Sequence, residues 1–287
     1  MNVARSIDDV RRQVREARSD GKAIGLVPTM GNLHEGHLSL IDAAGRGTDF
    51  VVVSIFVNPA QFGPGEDYER YPRTPDEDFA ACRGRGADLV FAPDVETMYP
   101  AEPMTEVAVK GLGSVLCGRS RPAHFAGVCT VVAKLLNIVV PDKAFFGAKD
   151  FQQSVILRRM VRDLNVPVEI VVCPTVREAD GLAMSSRNAY LSPEHRRQAP
   201  ALQAALRTGA ERIAASHPPV AEVRSAMREH LRGAAPAAEV DYLEIVDPNT
   251  LQSVETTDRP VRIALAVRFG TTRLIDNIEV DGRRDES

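Results

Sequence analysis

The chain has 287 residues, 44% of them hydrophobic and 26% charged, with a formal net charge of −4. This is the composition of an ordinary globular protein of one large or two ordinary domains, and it excludes a basic tract of the kind that binds nucleic acid. No uninterrupted apolar run approaches the ~18 residues of a membrane span, so small molecules are the expected partners, with no nucleic acid and no membrane.

In chain order, Val3, Ile7, Val10 and Val14 lie at helical spacing among arginines, a pattern shared with transit peptides. Asp8, Asp9 and Glu16 favour a surface helix instead, and a cytoplasmic protein. Ala23 to Thr29 reads as a buried strand and Gly36 to Ala44 as a short helix ended by Gly45. Asp49 to Asn58 is a continuous run rich in β-branched residues, as expected of a central parallel strand. Thr74-Pro75-Asp76-Glu77 reads as a helix start, with Thr74 as N-cap, Pro75 at the first helical position and Glu77 closing a capping box. That helix ends near Gly84 to Gly86, and Ala87 to Ala92 makes the next strand.

Met104 to Lys110 is read as a further strand and residues 111–127, rich in glycine and arginine, as irregular. Val128 to Val140 predicts a buried helix with Lys134 as its one charge, followed by a strand at Lys143 to Gly147, a helix at Asp150 to Leu164 and a strand at Val166 to Cys173. Strands alternating with helices up to about residue 175 imply an α/β domain with a mostly parallel sheet and right-handed crossovers. Beyond Val176 come two helical stretches, Glu194 to Ala215 and Val220 to Arg232. Three strands spaced for an antiparallel sheet follow, Val240 to Val246, Val261 to Phe269 and Arg273 to Val280. The expected division is residues 1–176 and a smaller α+β domain over residues 177–287. Cys82, Cys117, Cys129 and Cys173 form no Cys-x-x-Cys pair, so buried reduced thiols are expected rather than zinc or disulfides.

Candidate chemistry begins where the first strand breaks at Pro28 and Gly31. His34 and His37 stand at the start of a helix, where unpaired N–H groups and the helix dipole favour an anion by roughly 0.3 to 2 kcal/mol. Their spacing puts both imidazoles on one face around Gly36; the plain alternative is that one caps and the other packs. Gly147-Ala148-Lys149-Asp150 is a second strand-to-helix junction, where Lys149 can reach a phosphate and Asp150 can cap the helix or hold a ribose hydroxyl, or the whole is a solvated turn. Met184-Ser185-Ser186-Arg187, at the domain border, suits phosphate oxygens and equally suits an ordinary turn. Gln61 and Gln153 follow strand ends, where neutral amides can orient a small polar acid. Asp76, Glu77 and Asp78 are weighed as magnesium ligands against a dipole-favoured acidic first turn, and the latter is preferred.

Together these segments resemble the pantothenate synthetase family, which joins pantoate to β-alanine using ATP. The resemblance rests on PTMGNLHEGH at 28–37, FVNPAQFG at 56–63, YPRT at 71–74, RPAHFAGVCTVVAKL at 121–135, FGAKDFQQ at 146–153 and READGLAMSSRNAYL at 177–191, and it covers nearly the whole chain. A His-x-Gly-His alone indicates only the wider nucleotidyl-transferring superfamily; six segments in order are more specific. The resemblance implies a Rossmann-like nucleotide-binding first domain, a homodimer and a Mg²⁺ requirement. It implies an ATP site formed by Met30, Gly31, Asn32, Leu33, His34, Glu35, Gly36 and His37, with Gly147, Ala148, Lys149, Asp150, Val176, Met184, Ser185, Ser186 and Arg187. His34, His37, Lys149 and Arg187 are the implied catalytic groups, with His37 the proton donor. Gln61, Gln153 and Arg121 are implied to hold pantoate, Gln61 also bordering the β-alanine path.

Because water would destroy a pantoyl adenylate, the second domain is expected to act as a lid, with Ser185 to Arg187 at its hinge. The rival readings are a cytidylyltransferase-like enzyme, which makes pyrophosphate but no AMP, and a nucleotide-binding regulatory module without turnover.

Overall fold

In the computed structural model, which describes residues 1–282, the apolar runs of the first half become strands separated by helices. The chain begins with β1 (Asn2–Ala4) and α1 (Ile7–Ser19), then β2 (Ile24–Thr29), α2 (Glu35–Gly47), β3 (Phe50–Ile55), α3 (Pro75–Gly84), β4 (Leu89–Phe91) and the single turn α4 (Val95–Met98). It continues through α5 (Cys117–Ser120), α6 (His124–Val139), β5 (Lys143–Gly147), α7 (Phe151–Asp163) and β6 (Glu169–Cys173). The remainder is α8 (Pro193–Gln198), α9 (Ala201–Ser216), α10 (Val220–Ala234), β7 (Ala238–Val246), β8 (Val261–Phe269) and β9 (Thr272–Val280). These elements group into two units, one of residues 1–114, 118–148 and 153–174, the other of residues 115–117, 149–152 and 175 onward.

The first unit holds a six-stranded parallel sheet in the order β1-β4-β3-β2-β5-β6. From β2 the chain winds outward through β3 and β4, then returns to β5 and β6 on the other side. The direction of winding reverses between β2 and β5, and in open α/β sheets ligands bind beyond the C-terminal strand ends at such a reversal. Val27, Val51, Val53 and Val90 pack with Leu40, Ile41 and Ala44 of α2 and Cys82 of α3. Leu26, Val52 and Leu89, which alternate with them, are fully buried too, while α1 and α6 pack together and against β2. Both faces of the sheet are covered, as unbroken apolar strands require. Each such side chain contributes about 1.5–3 kcal/mol of transfer free energy.

The second unit is built on a three-stranded antiparallel sheet, β7-β8-β9. Leu202 and Leu206 of α9 and Val223 and Met227 of α10 pack with Ile245, Ile263 and Leu265 of that sheet.

Several local expectations are corrected. Residues 104–110 hold no strand: Met104 is fully exposed, and the Val107 N–H donates to Thr130 Oγ1 of α6 rather than to a neighbouring strand. Helix α6 begins at His124, inside the stretch read as irregular. Helix α2 passes through Gly45 and ends at Gly47, where Thr48 Oγ1 donates back to Ala44 O at 2.8 Å. Pro75 does open α3, but Thr74 makes no side-chain cap bond, so the capping box is not formed. Pro200, which has no N–H to give, divides the long helix expected after Glu194 into α8 and α9. The edge strand β1 was too short to be foreseen. Lys134 lies 5.2 Å above the ring of Tyr99, which accounts for a charge in an apolar helix.

Candidate active site

The loop after β2 is pinned before it reaches the histidines. Thr29 Oγ1 donates to Ser54 O at 2.8 Å and accepts from the Gly31 N–H at 3.2 Å. Gly31 has φ +80° and Asn32 φ +49°, so the chain turns through the left-handed region at both. A Cβ on Gly31 would stand 2.9 Å from Asp78 Oδ2. Asp78, only 2% exposed, accepts from the Asn32 N–H at 2.9 Å and the Leu33 N–H at 2.7 Å. Both its oxygens thereby accept from the loop, a structural role for Asp78, while Asp76 and Glu77 are exposed.

His34 caps α2: its Nδ1 accepts from the Gly36 N–H at 3.1 Å, and His37 Nδ1 accepts from the His34 N–H at 3.4 Å. The two rings stack with centroids 4.0 Å apart. A ring nitrogen that accepts carries no proton, so each neutral imidazole in this arrangement carries its proton on Nε2. The backbone holds each ring through Nδ1, so the Nε2–H of each neutral ring lies on the opposite edge. Glu35 turns its carboxylate to Arg85, 2.8 Å away, which also holds Asp42 at 2.7 Å.

Beyond β3, Asn58 caps the 3-10 turn Pro59–Gln61. Gln61 Nε2 reaches Met30 Sδ at 3.0 Å, bringing the loop ends of β2 and β3 together. Arg121 forms a forked pair with Glu66 at 2.6 and 2.5 Å, and its Nη2 donates to Gln61 O at 3.2 Å. Burial pulls the Glu66 carboxyl upward, but the hydrogen bonds and charge of Arg121 outweigh it and hold the group below its ordinary range. Arg121 thus holds the Gln61 loop by its carbonyl. Helix α6 can approach that loop because position 127 is glycine; a Cβ there would collide with the Ala60 carbonyl and Gln61 Cα. Gly147 ends β5 and Ala148 follows it, and Gln153 lies half-buried in the first turn of α7.

Lys149, Asp150, Val176 and Met184 to Arg187 belong to the second unit. A hairpin brings Val176 opposite Met184, whose N–H donates to Val176 O at 3.0 Å, turning at Gly181 with φ +92°. Ser185 caps the following 3-10 helix by accepting from the Arg187 N–H at 3.3 Å. Arg177 pairs through two bonds, 2.6 and 3.0 Å, with Asp276, which is 3% exposed. Asn277 Nδ2 donates to Lys149 O at 2.9 Å. Burial lowers the Lys149 pKa and the charge of Arg187 lowers it further, against the support of Asp150 and Asp276. A lysine and an arginine so placed suit a polyanion, which relieves the strain between them.

Asn58, Glu66 and Asp276 were not singled out in the sequence. Asn-Pro at a strand end is a legible turn signal for Asn58; a polar residue inside a strand gives no comparable sign for Asp276. Among the described residues no group of three or more His, Cys, Asp and Glu is arranged to hold a metal ion.

The family model for pantoate-beta-alanine ligase matches residues 2–279. The pantothenate synthetase of Moorella thermoacetica is 55% identical over 281 residues, covering 98% of this chain and 99% of that one. The structure of pantothenate synthetase from Thermus thermophilus matches with a TM-score of 0.93 and 48% identity over 99% of this chain and 100% of that chain. Pantoate-beta-alanine ligase from Francisella tularensis, complexed with β-γ ATP and β-alanine, matches with a TM-score of 0.80 and 34% identity over 97% of each chain. A match of this extent, in a chain whose strand-to-helix turn carries a capping histidine pair, means that the protein belongs to the pantoate–β-alanine ligase family of enzymes.

Proposed function

We propose that the enzyme condenses (R)-pantoate with β-alanine in two steps, using ATP and passing through a pantoyl adenylate. The pantoate carboxylate attacks the α-phosphate, the bond to the β-phosphate breaks and pyrophosphate leaves. The unprotonated amine of β-alanine then attacks the adenylate carbonyl, the amide forms and AMP departs. No covalent nucleophile from the protein is needed.

The observation that carries this reading is the reciprocal histidine cap, which fixes both imidazoles through Nδ1 at a helix N-terminus beside the winding reversal of the sheet. In the transition state of the first step negative charge spreads over phosphate oxygens, and fixed donors there lower the barrier; one such donor is commonly worth about 10²–10³ in rate. His34, His37, Lys149 and Arg187 take this part, with His37 giving a proton to the departing pyrophosphate. Residues 30–37, Gly147 to Asp150, Val176 and Met184 to Arg187 line the nucleotide. Gln61 and Gln153 hold the acid, Gln61 also borders the amine path, and Arg121 keeps the Gln61 loop in place.

A Mg²⁺ ion, which prefers phosphate and water oxygens to a cage of side chains, would be held mainly by the triphosphate itself and would supply charge neutralisation there. The working form is a homodimer in the cytoplasm, a setting in which four buried thiols stay reduced. Residues 177–287 close as a lid over the adenylate; the last five of them lie outside the described residues.

The test is a product analysis with ATP, pantoate and β-alanine. Pyrophosphate and AMP in equal amounts are expected with β-alanine, and a single turnover of pyrophosphate with retained adenylate without it. Pyrophosphate without AMP in the full mixture would point to a nucleotidyltransferase, and ATP binding without pyrophosphate to a regulatory module.

A further inference from the structure

Asn58 is 1% exposed and uses every hydrogen-bonding position of its amide. Its Oδ1 accepts from the Ala60 N–H at 3.3 Å and from the Tyr99 hydroxyl at 2.8 Å. Its Nδ2 donates to Gly127 O at 3.2 Å and to Gln61 Oε1 at 3.1 Å. Two of these partners are backbone groups of fixed polarity, a donor at Ala60 and an acceptor at Gly127, so the amide can be read only one way round. Gln61 must then turn its oxygen to Asn58, because the opposite orientation would set two NH₂ groups against each other. Its Nε2 is left facing Met30 and the space beyond the ends of β2 and β3.

We propose that Tyr99 is a positioning residue for the acid substrate: through Asn58 it holds the Gln61 carboxamide so that a donor, never an acceptor, meets the ligand. The shortest bond in the network is the one from Tyr99. Burial raises the Tyr99 pKa, so its hydroxyl stays protonated and remains a donor. The ring is held from two sides, with Phe56 at 6.2 Å between centroids and Lys134 Nζ at 5.2 Å. Removing the hydroxyl leaves Oδ1 with only the long bond from Ala60, and the carboxamides of Asn58 and Gln61 then gain freedom to rotate together. The ligand group that Gln61 meets must be a carboxylate or hydroxyl oxygen. This inference rests on the reading of Gln61 as an acid-binding residue.

The experiment is steady-state kinetics of pyrophosphate release with pantoate and ATP varied separately, on Tyr99→Phe, Gln61→Ala and the double variant. Tyr99→Phe is expected to raise the KM for pantoate about five- to tenfold, the worth of one buried hydrogen bond, and to leave the KM for ATP within about twofold. In the Gln61→Ala background the same change is expected to add nothing, since its effect passes through Gln61. A Tyr99→Phe effect that persists in full without Gln61, or a pantoate KM that does not move, overturns the relay. If Gln61→Ala itself leaves the pantoate KM unchanged, it is the acid-binding reading that fails first, and the relay with it. Should Tyr99→Phe fold poorly, Asn58→Asp gives the same test by a different route. It keeps acceptors for Ala60 and Tyr99 but sets an oxygen against Gln61 Oε1 and Gly127 O, so, once a melting curve shows it folded, it is expected to raise the pantoate KM at least as far as Tyr99→Phe, and an unchanged KM would again overturn the relay.

Discussion

His37 offers its Nδ1 to the backbone N–H of His34 at 3.4 Å, while His34 caps the same helix through its own Nδ1. Each histidine is therefore divided between two tasks: the inner nitrogen holds the helix start and the outer one carries the proton. The two substitutions that imitate one nitrogen each should separate these tasks.

His37→Asn retains an acceptor near the position of Nδ1 and loses the outer donor. It is expected to melt close to the parent and to slow pyrophosphate release by about 10²–10³. His37→Gln reaches the position of Nε2 with a donor and is expected to keep more of the rate than His37→Asn. Equal rates for the two variants, measured beside their melting curves, would remove the outer nitrogen from the chemistry.

Burial, followed by the charge of Arg187 against that of Asp150, depresses the pKa of Lys149 in the empty enzyme. A bound triphosphate favours the ammonium and raises the value again. As pH rises through the depressed pKa the free enzyme loses the proton first, so the KM for ATP should climb at a pH below the ordinary lysine value of about 10.4. The same depression makes stability rise with pH: this contribution is complete above the unfolded-state pKa and is lost as pH falls through the folded one. Lys149→Arg should flatten the alkaline rise in KM, and a profile unchanged by that substitution would assign the titration to another group.

Asp78 engages two N–H groups of the loop that follows β2. Asp78→Ala leaves both without their partner, at about 1–3 kcal/mol for each amide that stays buried. Thermal unfolding should show the loss, and the KM for ATP should rise because Met30 to Leu33 is no longer held. A variant that melts lower yet binds ATP normally would confine Asp78 to stability.

Gly127→Ala drives a methyl group into the Ala60 carbonyl and Gln61 Cα. Since backbone must move, about 1–3 kcal/mol of destabilisation is expected. The pantoate KM should rise more than the ATP KM, as read by varying each substrate in turn.

Closure of the second unit over a bound adenylate predicts a smaller radius of gyration with ATP and pantoate together than with neither. Small-angle scattering measures it, and an identical envelope would count against a lid.

The periodic elements were legible because burial on both faces of a sheet leaves continuous apolar runs, as at β3, and because Pro75 and the Gly-punctuated turn at Gly31 announce themselves. The six-stranded parallel sheet and the smaller antiparallel one follow from that pattern. The segment at 104–110 misled because a short run with β-branched Val107 and Val109 imitates a strand even where Met104 is bare to solvent. In the site, the histidine pair, Gln61 and Lys149 stood out by residue type and place after a strand. The ties among them did not: Asp78 lies 46 residues from Asn32 and Tyr99 lies 41 from Asn58, and sequence spacing carries no sign of such contacts.

Residues 115–117 and 149–152 belong with the second unit although the chain reaches both from the first. Gln152 accepts from the Cys117 N–H at 3.0 Å and donates to Val115 O at 2.7 Å; Cys117 Sγ lies 3.2 Å from the Tyr242 hydroxyl, and Arg262 stacks over Phe151 at 4.6 Å. A fragment cut at residue 175 would bare the Tyr242 hydroxyl and the guanidiniums of Arg262 and Arg273 together. The second unit is thus not a cassette that could be excised or grafted at a single junction: the polypeptide enters it three separate times.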